Sequence, residues 1–304
     1  MNPKPYKTID EQISILEDRG LHIENIDYAK ECLTNLNYYR ISGYTLTLRK
    51  NDKFYKDITF EDVMQIYNFD KELKLIVLKY LEDIELSLRT HIGYVLGRQD
   101  TEESTELSYM KIENYVSKEH HDEIMEELQY AIGDNRNEAF IKHHQTKYHG
   151  RLPVWAMVET LSFGVLSRFF SSLDQNIKKE ICDKYYHGIR PQRIENMIEG
   201  LVVLRNICAH HSRLYNRGLP NTPRVSKENL DFYVEKGYEK NDIGKKVFFR
   251  FVMMDRLIER NSFVDELSND IDDLCRKYPF VRLSHYGFKE NWQDIIRELN
   301  KEYI

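Results

Sequence analysis

The stretch TFEDVMQIYNFDKELKLIVLKYLEDIELSLRTHIGYV, Thr59 to Val95, decides how the chain folds. Val63, Ile66, Tyr67, Leu73, Ile76, Val77, Tyr80, Leu81, Ile84, Leu88, Ile92 and Val95 recur at spacings of three and four, which places them on one side of an α-helix. The pattern continues for about ten turns, and no proline interrupts it. A helix this long is expected either to kink or to form the spine of a bundle.

Helix signals also dominate on both sides of it. Tyr6–Leu152 contains no proline, and glycine is sparse. Thr8 and Glu11 have capping-box spacing, so a first helix is expected to start there and end near Gly20. A second is expected over Asp27–Leu36, and a charged amphipathic one over Ser117–Ile132. Residues 98–116 read as an exposed polar connection. Pro153 suits the first turn of a helix whose face carries Trp155, Val158, Leu161, Val165, Phe169 and Leu173. Pro191 opens another, with an apolar stripe of Ile194, Met197, Ile198, Leu201 and Leu204. Gly218, Pro220 and Pro223 then break the chain, and helices resume at about Lys245–Glu259, Phe263–Lys277 and Glu290–Glu302. Strand-like alternation is best at Tyr44–Arg49. The fold class is therefore all-α. The expected division is an N-terminal helical segment (1–55), a helical bundle (56–217) and a C-terminal helical region (218–304).

Composition excludes several classes of function. Across 304 residues, 44 Lys and Arg face 50 Asp and Glu, a net charge of -6. A protein that coats DNA would be basic, so any nucleic-acid binding must come from a local patch. Cys32, Cys182, Cys208 and Cys275 are scattered without a CxxC pair, which argues against a disulfide framework and a cysteine zinc site. The opening residues MNPKPYKTIDEQ lack the apolar core of a signal peptide. No uninterrupted apolar run is long enough for a membrane span. A soluble, cytoplasmic protein is expected.

The segment LRNICAHHSR, Leu204–Arg213, carries the chemistry. At about 100° per residue, Arg205 and His210 lie roughly 140° apart on a regular helix, whereas Asn206 and His210 share a face. A site using Arg205 with His210 needs a helix end, a distortion, or two motifs meeting across a two-fold axis. These residue types suit metal-independent RNA cleavage. RNA supplies its own nucleophile in the 2′-OH, so the protein must mainly move protons and neutralise charge on the phosphate. Histidine does the first, arginine the second, and asparagine can orient either. The alternative is structural: cationic side chains at a helix C-terminus favour the helix dipole and cap carbonyls. Spacing alone leaves both open.

The wider pattern narrows the choice. LNYYRISGY (Leu36–Tyr44), IYNFDKELK (Ile66–Lys74), IELSLRTHI (Ile84–Ile92), LPVWAMVETLSFG (Leu152–Gly164) and LRNICAHHSRLYNR (Leu204–Arg217) occur in this order, with YGFKENW (Tyr286–Trp292) near the end. Together they resemble the Abi-like (AbiD/AbiF) proteins of abortive-infection phage defence, over roughly residues 30–295. The resemblance implies a bundle of HEPN type with additional N- and C-terminal helices. It also implies an R-x4-H motif formed by Arg205 and His210, with Asn206 as the polar residue after the arginine. His211 and Arg213 match the extended version of the motif. The implied activity is a metal-independent endoribonuclease, active as a homodimer, leaving 2′,3′-cyclic phosphate and 5′-OH ends. No cofactor or metal is expected, the implied partner is RNA, and a regulatory RNA or protein is expected to restrain the activity. A non-catalytic helical RNA- or protein-binding module of a defence system is the alternative.

Other candidates are weaker. KHHQTKYHGR (Lys142–Arg151) offers Lys142, His143, Lys147 and Arg151 to RNA phosphates beside Arg213 and Arg217, or is a solvated loop. His143, His144 and His149, even with His120 and His121, lack zinc-ligand spacing. Within the resemblance, Glu159 is a supporting partner for Arg205 or Arg213, or a surface glutamate. Glu85 and Arg89 form an i,i+4 pair, and Asp70 interrupts the apolar face as a polar anchor or an exposed residue. Tyr38, Tyr39, Arg40 and Tyr44 suit RNA bases or aromatic packing. The acidic run VDELSNDIDDL (Val264–Leu274) reads as a solvated face.

Overall fold

The computed structural model describes residues 5–101, 104, 106–220, 225–258, 260 and 262–301. Pro3, Pro223, Glu259 and Glu302 lie outside them. The expected capping box starts α1 (Ile9–Asp18): Thr8 Oγ1 accepts from the Glu11 N–H, and the Glu11 carboxylate accepts from the Thr8 N–H. Gly20 turns the chain after it at φ +91°. Asn25 caps α2 (Ile26–Leu36), and Asn37, itself at φ 64°, caps the short α3 (Tyr38–Ser42). The strand expected at Tyr44–Arg49 is displaced. Its ladder is only β1 (Arg49–Lys50) against β2 (Lys53–Phe54), joined through Asn51 and Asp52 at positive φ, the conformation of a tight hairpin turn.

Thr59 and Asp62 make a second capping box, which starts α4 (Phe60–Gly97). This helix is unbroken and about 57 Å long at 1.5 Å per residue. Of the two expected forms it takes the spine. After it, residues 98–116 depart from the expected exposed connection. Two 3-10 turns, Ser108–Met110 and Ile112–Asn114, bury Ser108, Tyr109, Asn114 and Tyr115. The Asn114 amide donates to the Ser108 carbonyl at 2.7 Å and to Gln99 Oε1 at 2.9 Å, which satisfies it away from water.

The remaining helices are α5 (Lys118–Asp134), α6 (Ala139–Lys147), α7 (Val154–Met157), α8 (Phe163–Ser172), α9 (Gln175–Tyr185) and α10 (Pro191–Ala209). Then come α11 (Lys227–Glu235), α12 (Val247–Leu257), α13 (Phe263–Lys277) and α14 (Trp292–Lys301). The single helix expected after Pro153 is divided. Pro153 is the N-cap of α7, a 3-10 turn follows at Val158–Thr160, Leu161 is extended, and Ser162 caps α8. Arg89 Nη2 reaches the Leu161 carbonyl at 2.6 Å and Glu85 at 2.5 Å, so the i,i+4 pair also ties the break to the spine. Gly93 and Gly97 let α7 approach closely, since a Cβ at Gly97 would sit 3.1 Å from the Trp155 ring. Residues 175–185 and 227–235 also form helices, α9 and α11, on short apolar stripes (Ile177, Ile181, Cys182 and Tyr185; Leu230, Tyr233 and Val234) that the sequence reading passed over.

The spine touches α7, α8, α9, α10, α12 and α13, and buried side chains from both termini join its core. The acidic α13 is not purely a solvated face. It buries Val264, Leu267, Ile271 and Leu274, and Asp270 accepts from Lys79 at 2.8 Å and from the Tyr80 hydroxyl at 2.7 Å. Among the described residues no helix is long and apolar enough to cross a membrane.

Asp70 is the polar anchor. It is fully buried, and its carboxylate accepts from the Tyr44 hydroxyl at 2.9 Å, Lys74 Nζ at 2.9 Å and the Tyr286 hydroxyl at 3.1 Å. The backbone N–H groups of Leu214 and Tyr215 complete the set at 3.2 and 2.7 Å. Burial, and then the Asp70 charge, push both phenols above their ordinary range, so they remain donors. Asp70→Asn keeps the shape but leaves Lys74 buried without its counter-charge. The expected loss in denaturant titration is about 3–5 kcal/mol, partly restored by adding Lys74→Met. Unchanged stability of the single variant would contradict the anchor role.

His91 reports on the other end of the spine. Its ring stacks on Tyr185 at 3.8 Å and pairs with the Tyr186 hydroxyl at 3.2 Å. Burial, and then the Lys184 charge, hold its imidazole down to about 4. The unfolded chain takes up this proton near the ordinary value of 6.5, so the folded state loses stability as pH falls from 6.5 towards 4. His91→Phe should flatten the pH dependence of the melting temperature across that window, and an unchanged slope would assign it to other groups.

Candidate functional site

Pro191 at the first helical position and the buried stripe Ile194, Ile198, Leu201, Leu204 and Cys208 seat α10 against α4, α8, α9 and α12. The helix ends inside the Arg–His segment. His210 is the C-cap, and its N–H still bonds the Asn206 carbonyl at 2.9 Å. His211 follows at φ 55°, in the left-handed region. The His211 N–H bonds Cys208 O at 3.0 Å and the Ser212 N–H bonds Ile207 O at 2.9 Å, the paired bonds of a Schellman turn. Glycine usually fills that left-handed position, and a histidine there costs about 1–2 kcal/mol.

Three contacts hold the strained turn. Arg40 Nη1, on α3, donates to the His211 carbonyl at 2.7 Å. Asp70 grips the Leu214 and Tyr215 N–H groups just beyond, and Arg213 Nη1 closes onto the Tyr215 carbonyl at 2.8 Å. Tyr215 is buried, its hydroxyl bonded to Thr47 Oγ1 and its ring 5.1 Å from that of His285. The backbone under His210 is thus fixed by parts of the chain that are remote in sequence.

The side chains above it face water. Asn206, His210 and His211 are exposed and Arg205 is half-buried. Arg205 Nη1 donates to Asn206 Oδ1 at 3.2 Å, so the asparagine orients the guanidinium. Among the described residues neither histidine ring has a hydrogen-bond partner, and Arg205 has no carboxylate partner. A permanent cation and a titratable imidazole therefore stand at the surface without internal neutralisation, an arrangement able to bind an anion and exchange protons with it. Cys208, within the same segment, is buried, and burial pushes its thiol up to about 12, which removes it as a nucleophile.

Arg213 and Arg217 lie half-buried just after the turn. The expected basic loop at Lys142–Arg151 is instead the end of α6 followed by a tight turn at His149 and Gly150. Lys142, His143, Lys147 and Arg151 are exposed there. His144 Nδ1 pairs with the Arg151 carbonyl at 2.9 Å, and Arg151 Nη2 donates to Ser104 O at 2.5 Å. No hydrogen bond or ion pair among the described residues joins this patch to the end of α10. Of the two readings of Glu159, the structure matches the surface glutamate. It is half-exposed and lies 3.6 Å from Arg89 Nη1, so it pairs with the spine rather than with Arg205 or Arg213. Among the described residues no group of three or more His, Cys, Asp or Glu side chains is placed to hold a metal ion.

A family model described as Abi-like protein matches residues 31–216, more than half of the chain. The chain belongs to the Abi-like family. Membership supports a role in abortive infection, a bacterial defence against phage. The matched region runs from α2 through the spine to just beyond Tyr215, and so contains Arg40, Asp70 and the whole end of α10. Nothing among curated proteins or solved structures matches the chain. The contact missed by sequence reading is Arg40 on His211, which spans 171 positions. No local pattern encodes such a pair, and only the quoted stretch LNYYRISGY hinted that this region mattered.

Because the turn geometry suits glycine, His211→Gly should raise unfolding stability by up to about 1 kcal/mol in denaturant titration. A loss of stability would mean that the imidazole, not the backbone, holds the turn.

Proposed function

We propose that this Abi-like protein is a metal-independent endoribonuclease of HEPN type, acting in phage defence through an R-x4-H motif. The observation that carries the reading is the end of α10, where a half-buried Arg205 without a carboxylate partner and the exposed Asn206 and His210 stand next to a firmly held turn. Family membership supports the defence context.

The reaction balances without water or metal. The RNA 2′-oxygen attacks the adjacent phosphorus, its proton passes to a base, the P–O5′ bond breaks, and the departing 5′-oxygen takes a proton from an acid. The products are a 2′,3′-cyclic phosphate and a 5′-OH. Arg205 neutralises charge growing on the non-bridging oxygens, with Asn206 setting its direction, and His210 transfers protons. In-line displacement puts the entering and leaving oxygens on opposite sides of phosphorus, beyond the reach of one imidazole. A homodimer that joins two α10 ends across a two-fold axis supplies the second His210 and the second Arg205. His211 stands beside them as a further candidate proton carrier. Arg213, Arg217 and the exposed Lys142, His143, Lys147 and Arg151 supply RNA-phosphate contacts outside the reacting centre. Cleavage of host RNA is toxic, so an RNA or protein partner restrains the enzyme until infection.

Wild type, Arg205→Ala and His210→Ala, incubated with RNA in EDTA, test this directly. Wild type should cut, and His210→Ala should lose about 10²–10⁴-fold in rate with an unchanged circular-dichroism spectrum. Equal cutting by the variant would remove the motif from the chemistry. Intact RNA with wild type would instead favour a non-catalytic binding module.

A further inference from the structure

The short helix α3 presents an aromatic ring that the fold does not use. Tyr39 is 86 % exposed, and among the described residues its ring has no aromatic, cationic or hydrogen-bond partner. Tyr6 and Tyr130 are comparably exposed, but neither sits on an element bonded to the end of α10. Tyr39 does: its neighbour Arg40 holds the His211 carbonyl at 2.7 Å.

The backbone under this ring is fixed on both sides. Asn37 Oδ1 accepts from the Tyr39 N–H at 2.8 Å, and Ser42 Oγ donates to the Tyr39 carbonyl at 2.8 Å. Ile41 is buried and anchors the helix from below. At its end, Gly43 lets the chain lie close to Arg213, since a Cβ there would come 3.3 Å from Arg213 Nε. An aromatic ring in water, on a backbone fixed from both sides and on the same short helix as Arg40, is open to a stacking partner. Unpaired nucleobases are the natural occupants. Every base has a π-face, and its flanking phosphates would meet the arginines.

We propose that Tyr39 is a base-stacking platform that holds a single-stranded RNA substrate against the end of α10, with Arg40 fixing its register to the reacting residues. This rests on the ribonuclease reading, but the test of the platform does not require cleavage; only the register role of Arg40 is read from cutting. A fluorescein-labelled 2′-fluoro oligouridine lacks the nucleophile and so reports binding alone. Anisotropy titrations of the full chain should show Tyr39→Ala binding the single strand about ten-fold more weakly than wild type. Tyr39→Phe, which keeps the ring, should bind as wild type does. The same strand annealed to its complement should show no difference between wild type and Tyr39→Ala, because its π-faces are already stacked.

For Arg40, an abasic nucleotide is walked along a cleavable RNA. In wild type one position at a fixed offset from the cut should suppress cleavage, and in Arg40→Ala that offset should blur over neighbouring phosphates. Wild-type affinity in Tyr39→Ala, an equal loss in Tyr39→Phe, or an equal loss on the duplex would overturn the platform. So would no binding of the single strand by wild type. A sharp offset retained in Arg40→Ala would overturn the register role. Tyr39-dependent binding without cleavage would keep the platform and remove the nuclease, whereas cleavage indifferent to Tyr39 would do the reverse.

Discussion

The Asp70 carboxylate is the constraint from which the rest of the architecture follows. A buried anion costs several kcal/mol unless donors surround it, and here five donor groups converge from four stretches of chain. Tyr44 brings the N-terminal segment, Lys74 the next turn of the spine, Leu214 and Tyr215 the chain after α10, and Tyr286 the C-terminal region. Gly287, next to Tyr286, sits at φ +93° where a Cβ would fall 2.5 Å from Lys246, so the C-terminal donor depends on a backbone that only glycine allows. Hydrophobic burial alone would tolerate sliding of α10 along α4. Directional bonds to a single carboxylate do not, and they set the height at which α10 ends.

That height matters because the end of α10 is strained. A left-handed histidine is stable only where the surroundings over-determine it. The Schellman bonds satisfy the helix carbonyls, Arg40 holds the next carbonyl from outside, and Asp70 draws in the amides that follow. The strain is thus confined to the backbone, while the side chains of Asn206, His210 and His211 remain in solvent. The helix stops at His210, whose own N–H still bonds the Asn206 carbonyl, so the chain leaves the 100° step only at His211 and the i,i+5 pair keeps its angular separation within one chain.

Much of this was legible in the sequence where the signals are local. The spine, the Thr8–Glu11 box, Pro191 at the start of α10 and Phe263–Lys277 follow from periodicity and caps, which depend on neighbours a few residues apart. The break at Leu161 was not legible, because Val158, Leu161 and Val165 keep helical spacing while Ser162 restarts the helix and Arg89 stabilises the gap from the spine. The candidate site divides in the same way. Arg205, Asn206 and His210 were readable as a motif, and Asp70 as an anomaly on an apolar face. The partners of Asp70, the Arg40–His211 contact and the pairing of Glu159 with Arg89 were not, since each joins segments that only the tertiary fold brings together.

The charge balance gives the Tyr39 surface its significance. At a net of -6 the chain as a whole repels RNA, and its cationic groups near the end of α10 are few. Phosphate contacts alone would give an affinity that salt erodes steeply. Stacking on an exposed ring would add attraction that is short-ranged, indifferent to net charge and confined to unpaired bases. On the proposed reading, an acidic protein that relied on such contacts would discriminate by strandedness before chemistry begins and would stay off the bulk of structured cellular RNA. If the proposed ribonuclease activity holds, that selectivity would itself restrain it, and it would be built from the same short helix whose arginine steadies the turn beneath His210.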